Sequence, residues 1–239
     1  MLFRKQAILF ASLLAILFLG STIGMNHIDK YLPTTGELPV AVYNTTTTIE
    51  PLDDFVESVK NGQPNAVVGI YIPGVIAYPV NQQPKDDAGF VTRQPNQVTQ
   101  FSLASQYGTV GILAHNDLAG ATFSNIDQKE YAIVVFGDGH LEYYVIDEFQ
   151  RYQALSPAST FSDFINLDGS NERLTANQLF NRIYAPGGRL VLQTCIDAFG
   201  DASWGRLFII AEPVTEQVVS VAQQTSFLLE FASFGMAFR

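Results

Sequence analysis

The chain has 239 residues, 47% of them hydrophobic and 12% aromatic, a length that fits one buried core plus appendages. A formal net charge of -10, with Lys and Arg totalling 13, leaves no basic patch to neutralise phosphates and excludes nucleic acid as a partner. One cysteine excludes a disulfide framework.

Residues 7–25 read AILFASLLAILFLGSTIGM and carry no charge. A helix of about 19 residues rising about 1.5 Å each spans a hydrocarbon core of about 30 Å. Arg4 and Lys5 precede it, so the positive-inside rule keeps residues 1–6 in the cytoplasm and the rest outside. The expectation is a single-pass transmembrane anchor in the cell membrane. The alternative is a signal peptide cleaved near Gly20-Ser21-Thr22, and both readings export the remainder of the chain. Residues 26–64 are polar, with a Thr45-Thr46-Thr47-Thr48 run. They read as an extracytoplasmic stalk with a short helix near Leu52 to Val59.

The folded domain is expected over residues 65–213. Val67 to Ile72, Pro73-Gly74 and Val75 to Val80 read as strand, turn and strand. A polar loop over 82–100 leads to the apolar run Val110-Gly111-Ile112-Leu113-Ala114, which ends in His115-Asn116. Asp138-Gly139 marks a hairpin between Tyr131–Phe136 and the run from Leu141. Of the three histidines, His27 falls in the stalk and His140 on the hairpin turn, leaving His115 at a strand end. Residues 155–174 read as loop, with Phe161 and Phe164 as packing residues. Loop acids such as Asp163, Asp168 and Glu172 are more often solvated than metal-binding, so no metal is assigned. Thr175 and Gln178 have capping-box spacing, opening a short helix through Leu179 and Ile183 to Tyr184, closed by Pro186-Gly187-Gly188.

Leu190-Val191-Leu192 then delivers Thr194 and Cys195 to the start of a Gly/Asp/Ser-rich loop, and Arg206-Leu207-Phe208-Ile209-Ile210 lies beyond it. Paired as neighbouring strands, these runs bring Arg206 back to Cys195. A cation there lowers a thiol's pKa and can donate to an oxyanion. Locally, a lone cysteine at a strand end reads more readily as packing. Its export as an unpaired thiol invites a functional explanation instead.

Several stretches together resemble the sortase family, bacterial cell-surface cysteine transpeptidases. They are the Ile70-Tyr71-Ile72-Pro73 opening, His115 with Phe123-Ser124-Asn125-Ile126 and a hairpin after it, Leu192-Gln193-Thr194-Cys195, and Arg206-Leu207-Phe208-Ile209-Ile210-Ala211. Val191 stands where the family's TLxTC pattern has its first threonine. The resemblance implies a mostly-β fold, a closed barrel of about eight strands with one or two short helices. It also implies a catalytic trio of Cys195, His115 and Arg206 in the family order, and no cofactor. The implied partners are surface proteins carrying a C-terminal LPxTG-like sorting signal and an amine acceptor, a cell-wall peptide or a pilin lysine, all at the membrane. Asn116 is an expected neighbour able to orient His115. An inactive, peptide-binding or scaffolding member of the fold and a hydrolysing cysteine peptidase remain the alternatives.

Residues 214–239 form a C-terminal extension. If 217–238 is helical, Phe227, Phe231, Phe234 and Phe238 fall on one stripe, expected to pack on the barrel or to lie on a membrane or partner.

Overall fold

Val67–Ile72 forms β1, and every one of its residues is buried, although a strand with one wet face would alternate. Both faces are covered. Val67, Ile70 and Ile72 point into the barrel, while Val68 and Tyr71 pack outward with Phe55 of helix α1 (Leu52–Val59). Gly69 makes that docking possible, since a Cβ there would stand 2.8 Å from the Phe55 ring. The computed structural model describes residues 49–159 and 161–214. The expected anchor at 7–25 and the phenylalanine stripe at 217–238 lie outside these residues, and among the described residues no helix is long and apolar enough to cross a membrane.

The remaining strands are β2 (Ile76–Gln82), β3 (Val98–Gln100), β4 (Val110–Leu113), β5 (Tyr131–Phe136), β6 (Leu141–Ala154), β7 (Phe164–Asn166), β8 (Arg173–Leu174), β9 (Leu190–Ala198) and β10 (Asp201–Val214). They hydrogen-bond in the order β10-β9-β4-β3-β2-β1-β5-β6-β7-β8, and β10 also pairs with β6. That last pairing closes β10 through β6 into an eight-stranded barrel, with β7 and β8 extending from β6. The β2–β3 and β4–β9 pairs are parallel and the rest antiparallel. Helix α2 (Ser102–Ser105) and a 3-10 helix (Ala119–Asn125) flank β4, and α3 (Ala176–Ile183) precedes β9.

The capping box of α3 forms as the spacing predicts: Gln178 N–H donates to Thr175 Oγ1 at 3.3 Å, and Thr175 N–H donates to Gln178 Oε1 at 2.9 Å. Leu179, Phe180 and Ile183 of α3 pack with Val191, Phe208 and Ile210 on the outer face of the β9–β10 pair. Burial of each such side chain contributes about 1.5–3 kcal/mol.

Several expectations change. The stretches read as loops over 82–100 and 155–174 contain β3, and β7 and β8, respectively. Residues 49–64, assigned to the stalk by their polarity, include a helix whose Leu52, Phe55, Val56 and Val59 lie at i, i+3, i+4 and i+7 and pack on the barrel, so the packed unit includes them. Phe161 is 72% exposed, whereas Phe164 is buried on the outer core. The stretch between Cys195 and Arg206 is not a loop: β9 runs three residues past Cys195 to Ala198, and β10 begins at Asp201.

Candidate active site

Alternation along β9 decides where the cysteine points. Leu190 and Leu192 belong to the barrel interior, and Val191 belongs to the outer core with Phe208 and Ile210. Gln193 falls on the same outer side, where its Oε1 accepts from Tyr184 O–H at 2.6 Å. Cys195 is next in that series. In the antiparallel register with β10, Gln193 is opposite Phe208 and Cys195 is opposite Arg206, so thiol and guanidinium share a face.

His115 follows β4, which runs parallel to β9 toward the Cys195 end of that strand. The parallel β4–β9 ladder pairs Val110 with Leu190 and continues residue by residue to Leu113 with Gln193, after which Ala114 N–H donates to Gln193 O at 3.0 Å. The ladder ends at Leu113, two residues short of His115, and among the described residues no hydrogen bond or charge interaction joins His115 to Cys195. The loop is held there by the 3-10 helix. Gly120 N–H donates to His115 O at 2.8 Å, and a Cβ at Gly120 would lie 2.7 Å from that oxygen and 2.2 Å from Thr194 Oγ1. Only glycine lets the histidine loop and the cysteine strand close to this separation.

The charges are arranged around a buried thiol. Cys195 is 5% exposed and Arg206 is 1% exposed. Burial pushes the Cys195 thiol above its ordinary value. Arg206 and a hydrogen bond from the Ser203 hydroxyl pull it back, and Asp201 and Asp117 push it further up. Burial holds the His115 imidazole below its ordinary value, with Arg93 acting the same way and Val91 O and Asp117 opposing. His115 Nε2 lies 3.4 Å from Val91 O. Arg93 Nη2 and Asp117 Oδ2, both exposed, pair at 3.0 Å beside the imidazole.

Asn116 does not serve the ring. Its Nδ2 donates to Ala202 O at 2.9 Å, tying the histidine loop to the β9–β10 hairpin. His140 sits on the β5–β6 turn, stacked on Phe136 at 4.1 Å with Nδ1 2.6 Å from Asp138 Oδ1. The three loop acids each hold an arginine: Asp163 with Arg173, Asp168 with Arg151 and Glu172 with Arg182. A cavity of about 510 Å³ opens at the other end of the barrel, lined by Val67, Val110, Tyr144, Gly188 and Val214 among others, and includes none of Cys195, His115 or Arg206.

Sequence reading misses Gly120, whose role depends on a contact between distant segments, and Ser203, which sits in an Asp/Ser/Gly stretch that looks like loop. The only signal at Ser203 is the short spacing to Arg206.

No family model matches the chain, and neither does any curated protein sequence. Sortases of solved structure are similar to it at low identity. Sortase A from Corynebacterium diphtheriae is 13% identical with a TM-score of 0.42, over 63% of this chain and 61% of that one. Sortase C1 from Streptococcus suis is 12% identical with a TM-score of 0.42, over 68% and 78%. Clostridium perfringens sortase C, solved with the C-terminal cell wall sorting motif, is 14% identical with a TM-score of 0.40, over 68% and 83%. Likeness of this degree leaves the chemistry to be argued from the side chains.

Proposed function

We propose that the chain is a sortase-like cysteine transpeptidase, cleaving an LPxTG-like sorting signal and passing the protein to an amine on the cell surface. The observation that carries the reading is the shared row of Cys195 and Arg206, and the parallel β4–β9 pair leads the His115 loop toward that end of the barrel. In the first half-reaction the Cys195 thiolate attacks the threonine carbonyl, a C–S bond forms, and the C–N bond breaks. The departing amine takes its proton from His115. In the second, an incoming amine gives a proton to His115 and attacks the thioester, and the thiolate leaves. Arg206, fixed by bonds from Nη1 to Ser203 O and Gly205 O at 2.8 Å each, stabilises the oxyanion of both tetrahedral intermediates. No cofactor enters these steps.

The burial of Cys195 favours one second reading, a sortase-fold scaffold that holds a peptide without turning it over. Incubating the chain with a labelled LPxTG-type peptide and an added amine separates the two. The transpeptidase gives an amine-dependent adduct that Cys195→Ala does not. The scaffold gives binding alone, and a hydrolase gives cleavage indifferent to amine.

A further inference from the structure

The cavity of about 510 Å³ at the barrel end away from Cys195 is walled by strand ends: Val67 of β1, Val110 of β4, Phe136 of β5, Tyr144 of β6 and Val214 of β10. Val67 and Tyr144 are core residues, and Val110 and Phe136 are partly buried against the same core, so the cavity reaches the apolar interior of the barrel. Polar groups beside it are engaged within the fold. Tyr144 O–H donates to Glu142 Oε2 at 2.6 Å, and Thr109 O–H donates to Tyr184 O at 2.7 Å. Walls of this kind suit an apolar occupant.

Strand β10 leads the chain to that cavity. Pro213 and Val214, its last residues, pair with Tyr144 and Tyr143 and line the cavity themselves. The sequence that follows, 215–239, places Phe227, Phe231, Phe234 and Phe238 at helical spacing, with Glu230 the one charged residue between the first and the last. An extended residue covers about 3.3 Å, so the run from Val214 to Phe227 is long enough to bring the phenylalanines back to the cavity where it starts. The other end of the chain joins elsewhere: Ile49 packs with Phe55 and Val68 on the outer face of the barrel. We infer that the phenylalanine stripe of residues 215–239 docks in this cavity and closes the barrel end opposite Cys195. Covalent attachment supplies the stripe at an effective concentration in about the mM range, and docking removes its aromatic surface from water. The inference is independent of the reaction proposed above, because the cavity includes none of Cys195, His115 or Arg206.

The test compares the full chain with a full-length variant carrying Phe227→Ser, Phe231→Ser, Phe234→Ser and Phe238→Ser. Thermal unfolding and amide hydrogen exchange are measured on both. The variant is expected to melt at least about 5 °C lower. Its amide exchange is expected to speed up several-fold at the cavity walls, around Val110, Leu141 and Val214, and to stay unchanged around Cys195. Phe231→Ser alone is expected to show the same pattern at smaller size. An unchanged melting temperature overturns the inference and leaves the stripe to a membrane or a partner. A lowered melting temperature with unchanged exchange at the cavity walls overturns it as well, placing the stripe on another face of the barrel.

Discussion

Cys195 and Arg206 stand directly opposite one another in the β9–β10 ladder, and Tyr152 of β6 flanks Arg206 from the other side. The two-residue turn at Phe199-Gly200 alone would set Trp204 opposite Cys195, and the register shift between Asp201 and Gly205 brings Arg206 there instead. The cation beside the thiol thus arises from geometry within one hairpin. Only the histidine arrives from elsewhere.

Substitutions at the trio should separate its roles. Cys195→Ala removes cleavage and transfer while leaving the fold intact. His115→Ala lowers turnover by about 10²–10⁴-fold and Arg206→Ala by about 10²–10³-fold. His140→Ala, on a turn at the β5–β6 hairpin, leaves turnover unchanged. Steady-state kinetics on one peptide and amine pair measures all four, and equal losses for His140 and His115 would contradict the assignment.

The pH profile is set by the two directions of shift. The imidazole titrates below its ordinary 6.5, first because it is buried and then because of Arg93. The thiol titrates above its ordinary 9.0, chiefly because it is buried. Between those limits one proton is shared, mostly as neutral thiol and neutral imidazole, and the reactive thiolate with imidazolium is the minor tautomer. Turnover should therefore rise on an acid limb below pH 6.5, stay level, and fall on an alkaline limb above pH 9.0. A profile that climbs through alkaline pH without falling would contradict an acid role for His115.

Gly120→Ala should cripple the site from a distance. The added Cβ meets Thr194 Oγ1 and His115 O at 2.2 and 2.7 Å, so the histidine loop must move away from the cysteine strand. Overpacking of this kind costs about 1–3 kcal/mol. Thermal unfolding should show that loss, and turnover should fall with it. Normal turnover in a stable Gly120→Ala chain would show that the loop can sit elsewhere and still work.

The tip of the β9–β10 hairpin is strained and can be relaxed. Phe199 has φ of 55° and Gly200 of 81°, the left-handed pair that a tight hairpin turn requires, and a bulky residue loses about 1–2 kcal/mol there. Phe199 recovers part of this by an edge contact with Trp204 at 5.6 Å, a contact worth about 0.5 kcal/mol at 93% exposure. Phe199→Asn should therefore stabilise the chain by about 1 kcal/mol, read as a melting temperature raised by about 2–4 °C. A lower melting temperature would mean that the aromatic contact outweighs the turn strain.

The local features were the ones legible in the sequence. The β1–β2 and β5–β6 hairpins, the α3 capping box and the return of Arg206 to Cys195 each depend on residues close in the chain, and turn chemistry or periodicity marks them. The barrel was legible only through resemblance, because its closure rests on the β4–β9 and β6–β10 pairings between segments far apart. His115 could be chosen by its context, but the course of its loop depends on the parallel β4–β9 register and on the close approach of Gly120 to Thr194. The stripe of α1 was present in Leu52, Phe55, Val56 and Val59, yet its polar surroundings made it look like stalk. Phe55→Ala measures that misreading, with an expected loss of about 3–5 kcal/mol, whereas a residue in a stalk would lose nothing.

The central claim is a thioester on Cys195. Intact-mass spectrometry of the chain mixed with a sorting-signal peptide and no amine should show one added acyl group, mapped to Cys195, absent from Cys195→Ala and discharged when amine is supplied. Cleavage of the peptide by the parent and Cys195→Ala alike, or an acyl group carried on any other residue, would contradict it.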